Sequence, residues 1–176
     1  MVQGRSEKPG LLRNSGEPNF VKLRYYFFVG GMPEAVQSFS QNRDWNEVRK
    51  IQKNILKSYE SDFSKHAPKE ILPRINMVWK SMPSQLSKEN KKFVYGVIKE
   101  GTRAKDFETA IQWLVDGGLL HKVYNVSKPA LPLAAYSELS AFKLYHNDVG
   151  LLAAMTNLSA KQLFTAMPYL RNLRVH

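Results

Sequence analysis

The sequence predicts a mainly α-helical fold: a helical segment followed by a winged helix-turn-helix unit with a small β-hairpin. Three observations predict it. Apolar residues recur at three- and four-residue spacing over most of the chain. Alternation suited to strands is confined to two short runs late in the chain. The order between them is helix, short basic segment, helix, strand, loop, strand, which is that of a winged helix.

The first residues, 1–19, hold Gly4, Pro9, Gly10, Gly16 and Pro18 and few apolar side chains, so they are expected to be a flexible lead-in. A helical segment is expected over residues 20–82. Its first apolar run, Leu23 to Val29, suits a buried helix or a buried strand equally. Gly30-Gly31-Met32 ends that run, and Pro33 suits the first turn of a helix, where its missing N–H costs nothing. Glu34 beside it favours the positive helix end. Ala35, Val36 and Phe39 would form a short apolar face.

The clearest helix begins at Asp44, a capping residue with Glu47 three positions on in a capping-box-like pattern. Val48, Ile51, Ile55, Tyr59 and Phe63 form one stripe, with Arg49, Lys50, Lys53 and Lys57 largely off it. Pro68 stops this helix. Another is expected from Lys69 to Met82, with Ile71, Ile75, Val78, Trp79 and Met82 inward and Pro73 early enough to be tolerated.

The winged-helix unit is expected over residues 83–158. Phe93 to Ile98 reads as extended or buried, and Lys99 to Lys105 as a polar, basic segment. Ala104 to Leu119 reads as a helix with Phe107, Ala110, Ile111, Leu114 and Val115 inward and Gly117-Gly118 as a left-handed cap. Strands follow at His121 to Val126, around Val123 and Val126, and at Ala141 to His146, across a loop with two prolines. Asp148 caps a last helix, and residues 159–176 are expected to be a tail.

Charge is the least ordinary bulk feature. The chain has 176 residues, with 26 Lys and Arg against 15 Asp and Glu, a net charge of +11. Such a surplus suits an anionic partner or a basic surface kept soluble by charge. If the Ala104–Leu119 helix reads DNA, its contacts would be Lys91, Lys92, Lys99, Arg103, Lys105 and Gln112. Asp106, Glu108 and Asp116 on that helix oppose a phosphate backbone, and many winged helices bind only protein. Tyr25 to Phe28 could stack bases, but a packed apolar segment explains them better. The lysines of the 44–66 helix read first as a solvated face.

Catalytic chemistry finds no foothold. The chain has no cysteine, which excludes a disulfide framework, a thiolate metal site and a cysteine nucleophile. No two of the four histidines share i, i+4 spacing; His121 and His146, with Asp148 near, read as a surface pair on the hairpin and not as metal ligands. No serine-nucleophile elbow and no paired-carboxylate pattern stands out. No signal peptide or membrane span is expected, so the reading is a soluble cytoplasmic protein with no membrane partner.

Tyr26-Phe27-Phe28-Val29-Gly30-Gly31-Met32-Pro33-Glu34-Ala35-Val36 resembles the entry to the C-terminal region of predicted bacterial and archaeal AAA-type ATPases, a domain of unknown function. The likeness continues through Ile51 to Leu56, Tyr59 to His66, Ser84 to Leu86, Lys88 to Phe93, Trp113 to Leu119 and Asp148 to Leu152. The resemblance implies a P-loop ATPase, then a helical segment, a winged helix and often a nuclease-like domain. No G-x-x-x-x-G-K-[ST] loop exists in this chain, and Gly30-Gly31 lacks the spacing and the lysine to cradle phosphate. No cofactor is therefore expected here; ATP and magnesium would belong to an intact parent. The termini leave the pattern, which reads as a truncated frame, a degenerate gene or an excised piece. The expected role is a non-catalytic regulatory or coupling portion of such an ATPase, with an ATPase domain in cis or trans and DNA as its candidate partners. The alternatives are a free-standing winged-helix DNA-binding protein and a structural adaptor.

Overall fold

A computed structural model describes residues 19–87 and 92–166. Among them are seven α-helices and one two-stranded antiparallel sheet. The helices are α1 (Asn19–Val29), α2 (Pro33–Asn42), α3 (Trp45–His66), α4 (Leu72–Ser87), α5 (Ala104–Asp116), α6 (Val149–Met155) and α7 (Ala160–Ala166). The strands are β1 (Leu120–Val126) and β2 (Ser137–His146). The expected lead-in lies outside the described residues up to 18.

The Leu23–Val29 run is a helix. Only Phe28 and Val29 of it are buried, while Tyr26 is exposed. Tyr25 instead packs with Phe39 and Trp45, whose ring centroids lie 5.6 and 5.5 Å away. Pro33 opens α2 as expected. Its inward face is Ala35, Ser38 and Phe39; Val36, expected inward, is exposed. At 100° per residue, position 36 points away from the 35/39 line.

Asp44 caps α3 by accepting from the backbone N–H of Asn46 at 2.8 Å and of Glu47 at 3.4 Å. The carboxylate of Glu47 accepts from Asn42 Nδ2 at 2.9 Å. Val48, Ile51 and Phe63 of the expected stripe are buried, and Ile55 and Tyr59 are half-buried. α3 ends before Pro68, at His66. Its length lets it serve two apolar clusters. Val48 and Ile51 join Phe28, Val29, Ala35, Phe39 and Leu163. Phe63, four turns on, joins the cluster of α4, α5 and the hairpin.

α4 begins at Leu72 and runs past Pro83 to Ser87, beyond the expected end at Met82. A tertiary clamp explains the extra turn. Gln85 Nε2 donates to Val94 O at 2.8 Å, and Val94 N donates to Gln85 Oε1 at 3.1 Å. The expected extended segment contains a 3₁₀ turn at Tyr95–Val97. Just before it, Phe93 N donates to Phe142 O at 2.6 Å, tying this stretch to β2.

α5 ends at Asp116, three residues before the expected Leu119. Gly118 takes the left-handed conformation (φ +68°), Gly118 N bonds Val115 O at 2.9 Å and Leu119 N bonds Leu114 O at 3.0 Å. This double bond pattern turns the chain out of the helix at Gly117. Phe107, Ala110, Ile111 and Leu114 are buried beneath it, and Val115 is half-buried.

β1 pairs with β2 from Leu120↔His146 to Tyr124↔Phe142, then slips to Asn125↔Glu138 and Val126↔Ser137. Leu139, Ser140 and Ala141 have no partner on β1 and bulge outward. Leu120, Phe142, Leu144 and His146 form the buried face. Val123, one of the two residues around which the strand's alternation is expected, is exposed, because it lies an odd number of residues from Leu120. α6, inside the expected 83–158 unit, packs on α1 and α3. The expected tail includes α7, whose Leu163 is buried against the first helices. Neither placement is readable from local pattern, since both depend on which distant helix offers an apolar face.

Candidate interaction face and buried polar lock

Gly30 adopts φ +74°, and a Cβ added there would fall on the Asp148 carboxylate. Gly31 N donates to Asp148 Oδ2 at 2.6 Å, while Oδ1 accepts from Leu151 N at 2.8 Å, capping α6. One buried carboxylate thus satisfies a helix start and the turn between α1 and α2. Gly150 lies against the end of α1, where a Cβ would come within 2.6 Å of Val29 O and 2.7 Å of Gln52 Nε2. Gln52, fully buried on α3, donates to Phe28 O at 2.7 Å and Val29 O at 3.0 Å. These are carbonyls that the end of α1 leaves without intrahelical donors.

Arg49 extends the lock. It donates from Nη1 to Gln52 Oε1 at 2.9 Å and Gly150 O at 3.5 Å, and from Nη2 to Leu158 O at 2.7 Å. Its guanidinium lies 4.2 Å from the Phe28 ring centroid. Burial pulls its pKa well below the usual guanidinium value, to about 10, so it stays charged at neutral pH. Arg49 lies off the expected apolar stripe, and Gln52 is not among the residues expected on it. The available signal was position: Gln52 follows Val48 by four residues and so shares its buried face.

The candidate nucleic-acid contacts cluster only in part. Lys99, Arg103 and Lys105 are exposed just before and at the start of α5, whereas Lys92 is exposed beside Gln85 of α4 and Lys143 of β2; Lys91 lies outside the described residues. The outward face of α5 continues as Glu108, Thr109, Gln112 and Asp116. Arg103 and Lys105 are thus balanced by Glu108 and Asp116. Gln112, the expected base reader, donates through Nε2 to Asp116 Oδ1 at 2.6 Å. Asp106 Oδ2 accepts from Arg103 N at 2.9 Å and caps the helix start. Burial, and secondarily the charge of Glu108, raise the Tyr95 phenol above its usual pKa.

The loop joining the strands has a different character. Leu131 is 88% exposed and Leu133 51%, and Leu139 in the bulge of β2 is 73% exposed; the loop's one charge is Lys128, and Glu138 follows at the start of β2. The signal in the sequence is an unusual apolar content for a two-proline loop, Ala130-Leu131-Pro132-Leu133-Ala134-Ala135-Tyr136.

His121 and His146 do not form a surface pair. His121 pairs with Tyr145 and is exposed, whereas His146 faces inward, its ring 4.8 Å from that of Trp79. They are one register step apart, so they point to opposite faces. His146 Nδ1 accepts from Asp148 N at 3.2 Å, which leaves the neutral ring's proton on Nε2, a buried atom without a protein partner. Burial lowers its pKa from 6.5 to about 4, against the opposing pull of the Asp148 charge and the bonds to Asp148 and Asn147. Among the described residues no group of three His, Asp or Glu is placed to hold a metal ion. No described helix is long and apolar enough to cross a membrane.

These features define a mainly helical protein with a small antiparallel hairpin, tied together by a buried polar lock. The chain belongs to the family described as Domain of unknown function (DUF8612), whose model matches residues 21–162. That match carries no link to AAA-type ATPases. No curated protein and no solved structure matches the chain.

Proposed function

We propose that this chain is a non-catalytic regulatory or coupling module of an AAA-type ATPase, and that its hairpin loop docks on a protein surface. In this reading α4, the Phe93 segment, α5 and the two strands form a winged helix. The element order supports that, as does the backbone bond from Phe93 to Phe142, which sits where a winged helix has its third strand. The carrying observation is the wing itself. Three exposed leucines with a single lysine suit a desolvated protein contact and offer little to phosphates. The tie to an ATPase rests on the motif resemblance, and ATP and magnesium would be held by the parent.

The test begins with the genomic neighbourhood: a reading frame there that encodes a Walker lysine supplies the ATPase to be titrated, and the lack of one counts against the reading. Calorimetric titration is expected to show binding that Leu131→Ser with Leu139→Ser weakens at least about tenfold, roughly the loss of two buried leucines at an interface. Binding that survives this double substitution overturns the docking surface. ATP binding by the chain alone overturns the non-catalytic role.

A second reading, a free-standing winged-helix DNA-binding protein, is favoured by the exposed basic residues Lys92, Lys99, Arg103 and Lys105. Its mark is duplex affinity that falls steeply with salt and is lost on Arg103→Glu with Lys105→Glu. An affinity for duplex DNA unchanged by that reversal leaves the protein-docking reading, or a purely structural adaptor.

A further inference from the structure

We propose that the concavity between α3 and the α6–α7 turn binds an oxyanion, a phosphate or carboxylate group on a small ligand. The concavity measures about 220 Å³ and is lined by Asn46, Arg49 and Lys53 on one side and Asn157, Ser159 and Ala160 on the other. Residues 46, 49 and 53 follow helical spacing, so α3 presents an amide and two cations along one stripe. Phe28, Trp45 and Leu158 complete the lining, and no carboxylate belongs to it.

The charge balance points to an absent anion. All three hydrogen bonds of Arg49 end on neutral oxygens, which leaves two of a guanidinium's five donors for a ligand. Among the described residues the ion pair present is Lys65 with Asp62, distant in sequence from this stripe. The nearest acids in sequence are engaged: Asp44 caps α3 and Glu47 accepts from Asn42. A half-buried guanidinium with no counter-charge retains a desolvation cost that an oxyanion offsets. Lys53, exposed at the rim, adds the steering charge. This inference is independent of the wing and of any ATPase partner.

The experiment is a titration of the full chain, at constant ionic strength, followed by backbone amide and Arg Nε resonances. Inorganic phosphate forms one arm and acetate the other. Saturable shifts at Arg49, Ser159 and Ala160 in either arm support the site, and the arm that saturates identifies the head group. Lys53→Gln is expected to weaken binding about tenfold, the loss of one charge-assisted contact. Lys57→Gln, one turn further along α3 and outside the lining, is expected to leave affinity unchanged. Neither substitution touches the Arg49 bonds, so both variants fold. Shifts that never saturate, or equal weakening by both substitutions, overturn the proposal.

Discussion

The two ends of β2 depart from the usual sorting of side chains in opposite directions. After its C-terminal end, His146, Asp148 and the groups they meet place polar atoms inside the protein. At its N-terminal end, Leu133 and Leu139 place apolar side chains in water. Most of the polar groups that tie the helices together have matched partners, although His146 Nε2 has none. Asp148 receives two backbone N–H groups, Gln52 donates to two helix-end carbonyls, and Arg49 donates to three oxygens. Hydrogen bonds are directional, so this arrangement holds α1, α3 and α6 in one relative placement. The leucines of the hairpin loop and the start of β2 have no comparable partner within the described residues. One end ties helices together; the other leaves apolar surface in contact with water.

That contrast predicts a graded set of effects. Gly150→Ala is expected to be the most damaging, costing about 3 kcal/mol or more, because the new methyl meets backbone and the Gln52 amide and neither can retreat. Urea denaturation reads this directly; a loss under about 1 kcal/mol would show that the lock is loose. The next effect is in pH. The folded pKa of His146 lies near 4, below its ordinary 6.5, so the unfolded chain binds the proton first. Its contribution is full above pH 6.5 and is lost as pH falls toward 4, a change on the order of 3 kcal/mol. His146→Phe should flatten the stability slope in that window; an unaltered slope would mean that the ring is hydrated. The smallest effect belongs to the hairpin. Leu131→Ser with Leu139→Ser should change stability by no more than about 0.5 kcal/mol, since both side chains already face water. A clear destabilisation there would erase the distinction between the two ends.

Local signals were legible where a residue's neighbours in sequence decide its state. Asp44 as a cap, Pro68 as a stop, Pro33 at a helix start and Asp148 as the cap of α6 all act within one turn. The inward residues of α3 and α5 followed from period alone. The Gly30-Gly31 and Asp148-Val149-Gly150 blocks were legible as a signature but not as a contact, because 117 residues separate Gly31 from the carboxylate it meets. The pairing of Gln112 with Asp116 needed the helix to be built before it could be seen.

The sequence by itself therefore determined the mainly helical class, most helix starts, the hairpin and the lack of a P-loop in this chain. These rest on capping, periodicity and residue chemistry, all of which act over a few positions. Only the tertiary structure decided that α4 continues through Pro83, that His146 turns inward onto Trp79, that Arg49 is a tether, and that the hairpin leucines stay exposed. Each of those depends on what a distant part of the chain brings to the site. Burial, counter-charge and spare hydrogen-bond partners are properties of a packed neighbourhood and cannot be read from spacing alone.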